Sequence, residues 1–268
     1  MPTTGRRARW FPKEPLPDAP ARVFLLPYSG CGASMYRHWP TEYGGVNFVP
    51  VQLPGRENRL REQPFKSYQE LGSVLSEVLS PYLDRPYALF GHCSAALAAY
   101  EVARQTIDRG GPAPTRLYVS SEVAPQDGPH GRHLQMNDDE LAEELRTLVV
   151  QLGGTPVPTL IDMTLGVLRG DIEVNRRYHV ADPVKLPCPI TAIGWSGDIG
   201  MEPELMGGWS ACGNSEQVVF EGGHYSFMEG PETLLRLMVD GLGMGLSELD
   251  TAAMSGTERA VVRGGLGC

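Results

Sequence analysis

Short apolar runs punctuate the chain: Arg22–Pro27 (RVFLLP), Val46–Leu53 (VNFVPVQL), Tyr87–Phe90 (YALF), Arg116–Ser120 (RLYVS), Pro189–Gly194 (PITAIG) and Gln217–Phe220 (QVVF). Each is short, unbroken and bounded by Gly, Pro or polar residues, so each predicts a strand buried on both faces. Between them the period changes. Ser67–Leu83 places Leu71, Val74, Leu75, Val78 and Leu79 on one stripe, which predicts an amphipathic helix. A second helix, rich in small residues, follows Phe90, with Leu97, Tyr100, Glu101 and Arg104 at helical spacings. Strands alternating with helices predict the α/β class, with a mostly parallel, doubly wound sheet.

From about Gly128 to Lys185 that rhythm breaks. Asn137-Asp138-Asp139-Glu140 reads as an N-cap and an acidic first turn, and the run behind it ends on Gly153-Gly154. Leu160–Tyr178 predicts a further helix. An all-helical insert between two strands is a natural lid over the carboxyl ends of the sheet, where open α/β sheets bind ligands. The predicted organisation is a flexible N-terminal arm (1–20), one domain (21–245) with a helical lid at about 128–185, and a flexible C-terminal tail (246–268). The chain has no internal repeat.

The chemistry sits where the strand at Tyr87–Phe90 turns. Gly91-His92-Cys93-Ser94-Ala95 joins a buried strand to a small-residue helix. A strand–turn–helix with a nucleophile at its apex is the elbow of the α/β-hydrolase fold, and the tight turn needs small neighbours. Here the apex is a thiol, Cys93. That fold requires an acid and then a histidine later in the chain. His224 follows the QVVF strand behind Gly222-Gly223, whose freedom lets the imidazole swing across the sheet edge, and it is the candidate general base. Asp198, in the turn after PITAIG, is the candidate orienting acid, with Glu122 after the RLYVS strand as the alternative. The oxyanion hole calls for two backbone N–H groups. Ser94 supplies one, and the loop Pro27–Gly32 supplies the other, from Ser29 first and Tyr28 second.

Composition narrows the partners. A chain of 268 residues suits one large domain, and a formal net charge of −9 disfavours nucleic acid or an anionic membrane as the main partner. Arg56, Arg59 and Arg61 cluster in the sequence and are candidates for a local basic docking face. The 5 cysteines are scattered without a CxxC pair, which argues against a metal site or a disulfide framework. No leader-like opening and no apolar run of membrane length are present, so the expected setting is the reducing cytoplasm, where Cys93 remains a thiol. No resident cofactor is expected, and the expected oligomeric state is a monomer.

Over about residues 20–245 the chain resembles the type II thioesterases of polyketide and nonribosomal peptide biosynthesis. The matching segments are FLLPYSGCGASMYRHW, VPVQLPGRENRL, FGHCSAALAAYEVAR, LYVSSEVAP, LRTLVVQLGGTP, GDIGMEPELMGGW and FEGGHYSFM. The resemblance implies a substrate acyl or aminoacyl group held as a thioester on the phosphopantetheine arm of an acyl or peptidyl carrier protein, docked near the lid. Three features depart from the family pattern. GHCSA stands where members mostly carry GHSMG, YSGC stands where HAGG is usual, and the acid loop holds only Asp198 before Ile199.

The cysteine widens the possible reactions. An acyl group on Cys93 is itself a thioester, so exchange with another thiol lies near energy balance, whereas a serine ester is a poorer donor. Hydrolysis of an S-acyl intermediate is the first expectation. Transfer or cyclisation onto a thiol, amine or carbon nucleophile is the alternative, and a noncatalytic carrier-protein-binding scaffold is a third. Retention of Cys93, Asp198 and His224 argues against the scaffold. Ser94-Ala95 argues that the cysteine is natural and not an engineered replacement for serine, because the neighbouring positions differ from the usual elbow as well.

Overall fold

The computed structural model describes residues 10–151 and 153–245, and the backbone of residues 261–262. Eight strands form one sheet in the order β2-β3-β1-β4-β5-β6-β7-β8. They are β1 (Ala21–Leu25), β2 (Glu42–Tyr43), β3 (Val46–Pro50), β4 (Tyr87–His92), β5 (Arg116–Ser120), β6 (Leu186–Trp195), β7 (Gly213–Phe220) and β8 (Val261–Val262). Strands β3 to β7 and β1 pair in parallel, while β2 and β8 pair antiparallel at the two edges. This is the mostly parallel sheet of an α/β-hydrolase.

Burial on both faces follows from the unbroken apolar runs. On β1 and β4, Phe24 and Leu89 enter one core layer, with helices α1 (Tyr68–Leu79) and α2 (Ser94–Asp108). Their neighbours Val23, Leu25, Ala88 and Phe90 enter the opposite layer, with α5 (Glu232–Gly241) and the Met35–Trp39 segment. The strands are therefore covered on both sides. Ser67 caps α1 by accepting the Glu70 N–H at 3.0 Å, and the Lys66 N–H donates to the Glu70 carboxylate.

The lid is a helical pair, α3 (Asp138–Gln151) and α4 (Pro158–Arg177). Asn137 Oδ1 accepts the N–H groups of Asp139 and Glu140, and Glu140 reaches back to the Asn137 N–H at 2.7 Å, a reciprocal cap. The Gly153 and Gly154 N–H groups close the helix onto Val150 and Val149. Leu141, Leu145, Ile161, Leu165 and Leu168 form a small core of the lid's own.

One expectation changes. The arm expected over 1–20 is packed from Trp10 onward: Trp10 and Phe11 are buried, Trp10 stacks on Phe65, and the Leu16 N–H donates to Asn47 Oδ1. The aromatic pair anchors a segment that has no periodicity to betray it. The tail expected over 246–268 lies outside the described residues except for β8. At the strand ends, β6 and β7 begin earlier than their apolar runs: Leu186 pairs with Gly213, and after a register shift Ser215 and exposed Glu216 continue the ladder.

Candidate active site

The residues singled out in the sequence come from separate carboxyl ends of the sheet: Ser29 beyond β1, Cys93 beyond β4, Glu122 beyond β5, Asp198 beyond β6 and His224 beyond β7. Cys93 has φ 53° and ψ −140°, a strained conformation for a residue with a side chain. The strain is held by its surroundings. The Cys93 N–H donates to Ser120 O at 2.8 Å, and the Cys93 carbonyl accepts the Ala96 N–H at 2.8 Å. A Cβ on Gly91 would lie 2.1 Å from Ala95 O, so only glycine allows the first turn of α2 to lie against the strand.

His224 Nδ1 lies 2.7 Å from Asp198 Oδ2. The other carboxylate oxygen accepts the N–H groups of Gly200 at 2.9 Å and Met201 at 3.1 Å, so the carboxylate has a fixed orientation. Burial pushes the Asp198 carboxyl up, but His224, Ser121 and the Gly200 N–H outweigh it and hold the group below the usual carboxylate range. Ionised Asp198 therefore faces Nδ1–H and leaves Nε2 as the basic nitrogen.

Cys93 is half-buried, and with His224 it lines a narrow cavity of about 30 Å³ under the lid. Burial, then the charge of Glu122, push the thiol well above its ordinary pKa; the Ser94 N–H and Arg132 pull the other way. The resting sulfur is thus a thiol, and its proton must leave when it attacks. Ser94 N–H faces that sulfur at the N-terminus of α2. Ser29 and Ser94 are joined through their hydroxyls at 2.5 Å, which ties together the two loops expected to supply oxyanion donors.

Tyr28 is a correction. Its N–H donates to Met35 Sδ at 3.1 Å and is not free to serve an oxyanion. Its ring instead forms a wall, edge-on to His224 at 5.7 Å and to Tyr225 at 5.9 Å. Ser29 thus remains the candidate in that loop. Glu122 is not the acid that orients His224; its carboxyl lies on the cavity wall, and Asp198 holds the imidazole.

Arg56 and Arg59 also change role. Both are buried, and only Arg61 of that cluster is exposed. Arg56 makes a two-pronged pair with Asp171 of α4, at 2.8 and 2.9 Å, and donates to Cys31 O. Asp171 also accepts the Gly30 N–H at 2.8 Å. The guanidinium thereby clamps the lid to the Ser29 loop. Arg59 lies over the Trp10 ring, 4.1 Å from its centroid, and donates to Gln52 O and Glu62. Buried pairs of this geometry position elements rather than advertise a docking face.

Sequence reasoning missed several supports. His92 stacks on Phe227 with centroids 3.9 Å apart, meets His224 edge-on at 4.6 Å, and bonds Ser120 Oγ through Nδ1. Trp195 donates to that same hydroxyl. Burial holds the His92 imidazole neutral, so it acts as a plate behind the His224 loop. Glu144 of α3 pairs with Arg132 and accepts the Tyr225 hydroxyl at 3.1 Å, joining the lid to the residue after His224. The only linear signal for His92 is its place beside Cys93. Asp171 has none, because its partner Arg56 lies 115 positions away.

Burial drives the Glu122 carboxyl up to about 8, with the Val123 N–H pulling weakly against it. A carboxyl near 4.5 when unfolded and about 8 when folded holds a proton that the unfolded chain releases, so its linked stability falls as pH rises through that window. Glu122→Gln is therefore expected to melt several degrees above wild type at pH 8 and to converge with it at pH 4, measured by calorimetry. An equal gap at both pH values would contradict the buried, unpaired carboxyl.

A strained apical thiol, an imidazole held by a carboxylate, and a helical lid across the strand ends define an α/β-hydrolase. Among the described residues there is no cluster of metal-ligating side chains and no helix long and apolar enough to cross a membrane. The chain belongs to the thioesterase family: residues 21–240 match the Thioesterase domain. Gramicidin S biosynthesis protein GrsT of Aneurinibacillus migulanus is 32% identical over 233 residues, covering 82% of this chain and 88% of its own. Thioesterase PikA5 of Streptomyces venezuelae is 31% identical over 191 residues, covering 69% of this chain and 66% of its own. The solved structure of the type II thioesterase BorB from the borrelidin biosynthetic cluster is similar at TM-score 0.73 and 30% identity, over 87% of this chain and 97% of that one.

Proposed function

We propose that this chain is a type II thioesterase of a polyketide or nonribosomal peptide pathway, acting on acyl or aminoacyl groups carried as thioesters on a phosphopantetheinyl carrier protein. The observation that carries the reading is the strained Cys93 thiol sharing one cavity with an imidazole already bound to a carboxylate, in a chain of the thioesterase family.

In this reading His224 Nε2 takes the thiol proton as Sγ of Cys93 attacks the substrate carbonyl. The oxyanion is met by the Ser94 and Ser29 N–H groups. Collapse breaks the carbon–sulfur bond to pantetheine, and the imidazolium returns its proton to the departing thiolate. Water then attacks the S-acyl group, His224 takes a proton from the water, and the Cys93 thiolate leaves and is reprotonated. Asp198 holds the tautomer and stabilises the imidazolium throughout. No resident cofactor is needed, since the phosphopantetheine arrives with the partner. We place the reaction in the cytoplasm, where the thiol stays reduced, with the protein acting as a monomer.

A second reading is favoured by the cysteine itself. An S-acyl group can pass to another thiol near energy balance, or downhill to an amine, so transfer competes with hydrolysis wherever an acceptor reaches the cavity before water. The test is incubation with an acyl-carrier protein while free thiol and intact masses are followed. Thiol release with free acid supports hydrolysis, and acyl groups moved to a second carrier support transfer. No loss of the acyl-carrier thioester would sink both.

A further inference from the structure

Glu122 stands beyond β5, 2% exposed, on the wall of the cavity that holds Cys93. Its backbone is fixed by Trp209, whose indole N–H donates to the Glu122 carbonyl at 2.8 Å. Oε1 accepts the Val123 N–H at 3.1 Å, and among the described residues nothing donates to Oε2.

Three cationic or titratable neighbours are committed to other carboxylates, and His130, which also lines the cavity, does not act on Glu122. Arg132 and His133 face Glu144, and His224 faces Asp198. Each can be matched with a carboxylate inside the protein, and Glu122 cannot be matched with a cation. A buried carboxyl without a partner costs stability, which is the sense of its upward pKa shift. Only a positive group on the ligand recovers the cost of ionising this site.

We propose that Glu122 is the specificity-determining residue of the acyl site, pairing with the ammonium of an aminoacyl thioester, so that the group received by Cys93 is a small amino acid. On pairing, the neutral carboxyl releases its proton to solvent and the ammonium keeps its own. The narrowness of the cavity, about 30 Å³, sets the small size. This inference rests on the thioesterase reading above and adds the substrate class.

The probes are three N-acetylcysteamine thioesters of one size: alanyl, propionyl and lactyl. Wild type is expected to favour alanyl over propionyl on the order of 10- to 100-fold in kcat/KM, the scale of one charge-assisted contact. In Glu122→Gln the alanyl-to-propionyl ratio should fall toward one. Because the first comparison uses only wild type, it stands even where the variant folds poorly. Propionyl or lactyl processed as well as alanyl by wild type overturns the ammonium assignment, as does a ratio unchanged in the variant. Failure of wild type to consume any of the three, or to form a Cys93 adduct, overturns the thioesterase reading together with this one.

Discussion

Cys93→Ala is expected to lose on the order of 10³- to 10⁶-fold in kcat/KM and to show no acyl adduct after incubation with an acyl-carrier protein. The size of the loss follows from the site. Every other group around the cavity is arranged for a nucleophile at the apex, and neither Ser94 nor Ser29 can replace it, since their hydroxyls are bonded to each other. An adduct retained on the alanine variant would remove Cys93 from the mechanism. Cys93→Ser asks a different question. Its ester is lower in energy than a thioester, so passage to a second thiol should fall far more than passage to water. The product ratio, read by intact mass of both carriers and by free acid, should shift toward hydrolysis. The same ratio from both enzymes would mean that sulfur was not selected for its leaving ability. Thioesterase relatives typically use serine, which makes this the substitution with the most to say about why the chain carries cysteine.

What could be read from the chain divides by range. The sheet was legible because strands buried on both faces read as unbroken apolar runs, and the elbow because strand, glycine, nucleophile and small-residue helix are contiguous. Cys93, Asp198 and His224 each sit directly beyond such a run, so topology delivers them to one edge, and the Asp198–His224 contact follows. The lid could be read from its cap and its glycine stop. The roles of arginines could not. Arg56 and Arg59 look like a basic surface patch, and only the fold turns one toward Asp171 and the other onto Trp10. Trp10 itself belongs to a stretch without periodicity, so its burial depends on Phe65 being brought beneath it. Tyr28 shows the same limit in one residue. It stands in the expected loop, but its N–H donates to Met35, seven positions on.

His224→Ala and Asp198→Asn should separate two ways of using a thiol. In a resting ion pair the sulfur is already thiolate at low pH and the imidazole is already charged. Here burial holds the Cys93 proton in place, so the imidazole must remove it during attack. His224→Ala is then expected to lose on the order of 10³-fold or more in kcat/KM at pH 7, with activity partly recovering at high pH as the thiol ionises unaided. Asp198→Asn acts through the tautomer. The asparagine oxygen can keep the Gly200 and Met201 N–H groups, which turns its amide N–H toward His224 Nδ1 and drives the imidazole proton onto Nε2. The nitrogen needed as base then carries the proton. The loss should be smaller than for His224→Ala, about 10- to 100-fold, because a thiol needs less help than a hydroxyl to ionise. Iodoacetamide supplies an independent reading of the resting state. Cys93 alkylation in wild type should be slow at pH 6 and climb steadily with pH, without the low-pH plateau of a thiolate–imidazolium pair. A plateau that disappears in His224→Ala would establish the resting pair and overturn proton removal during attack.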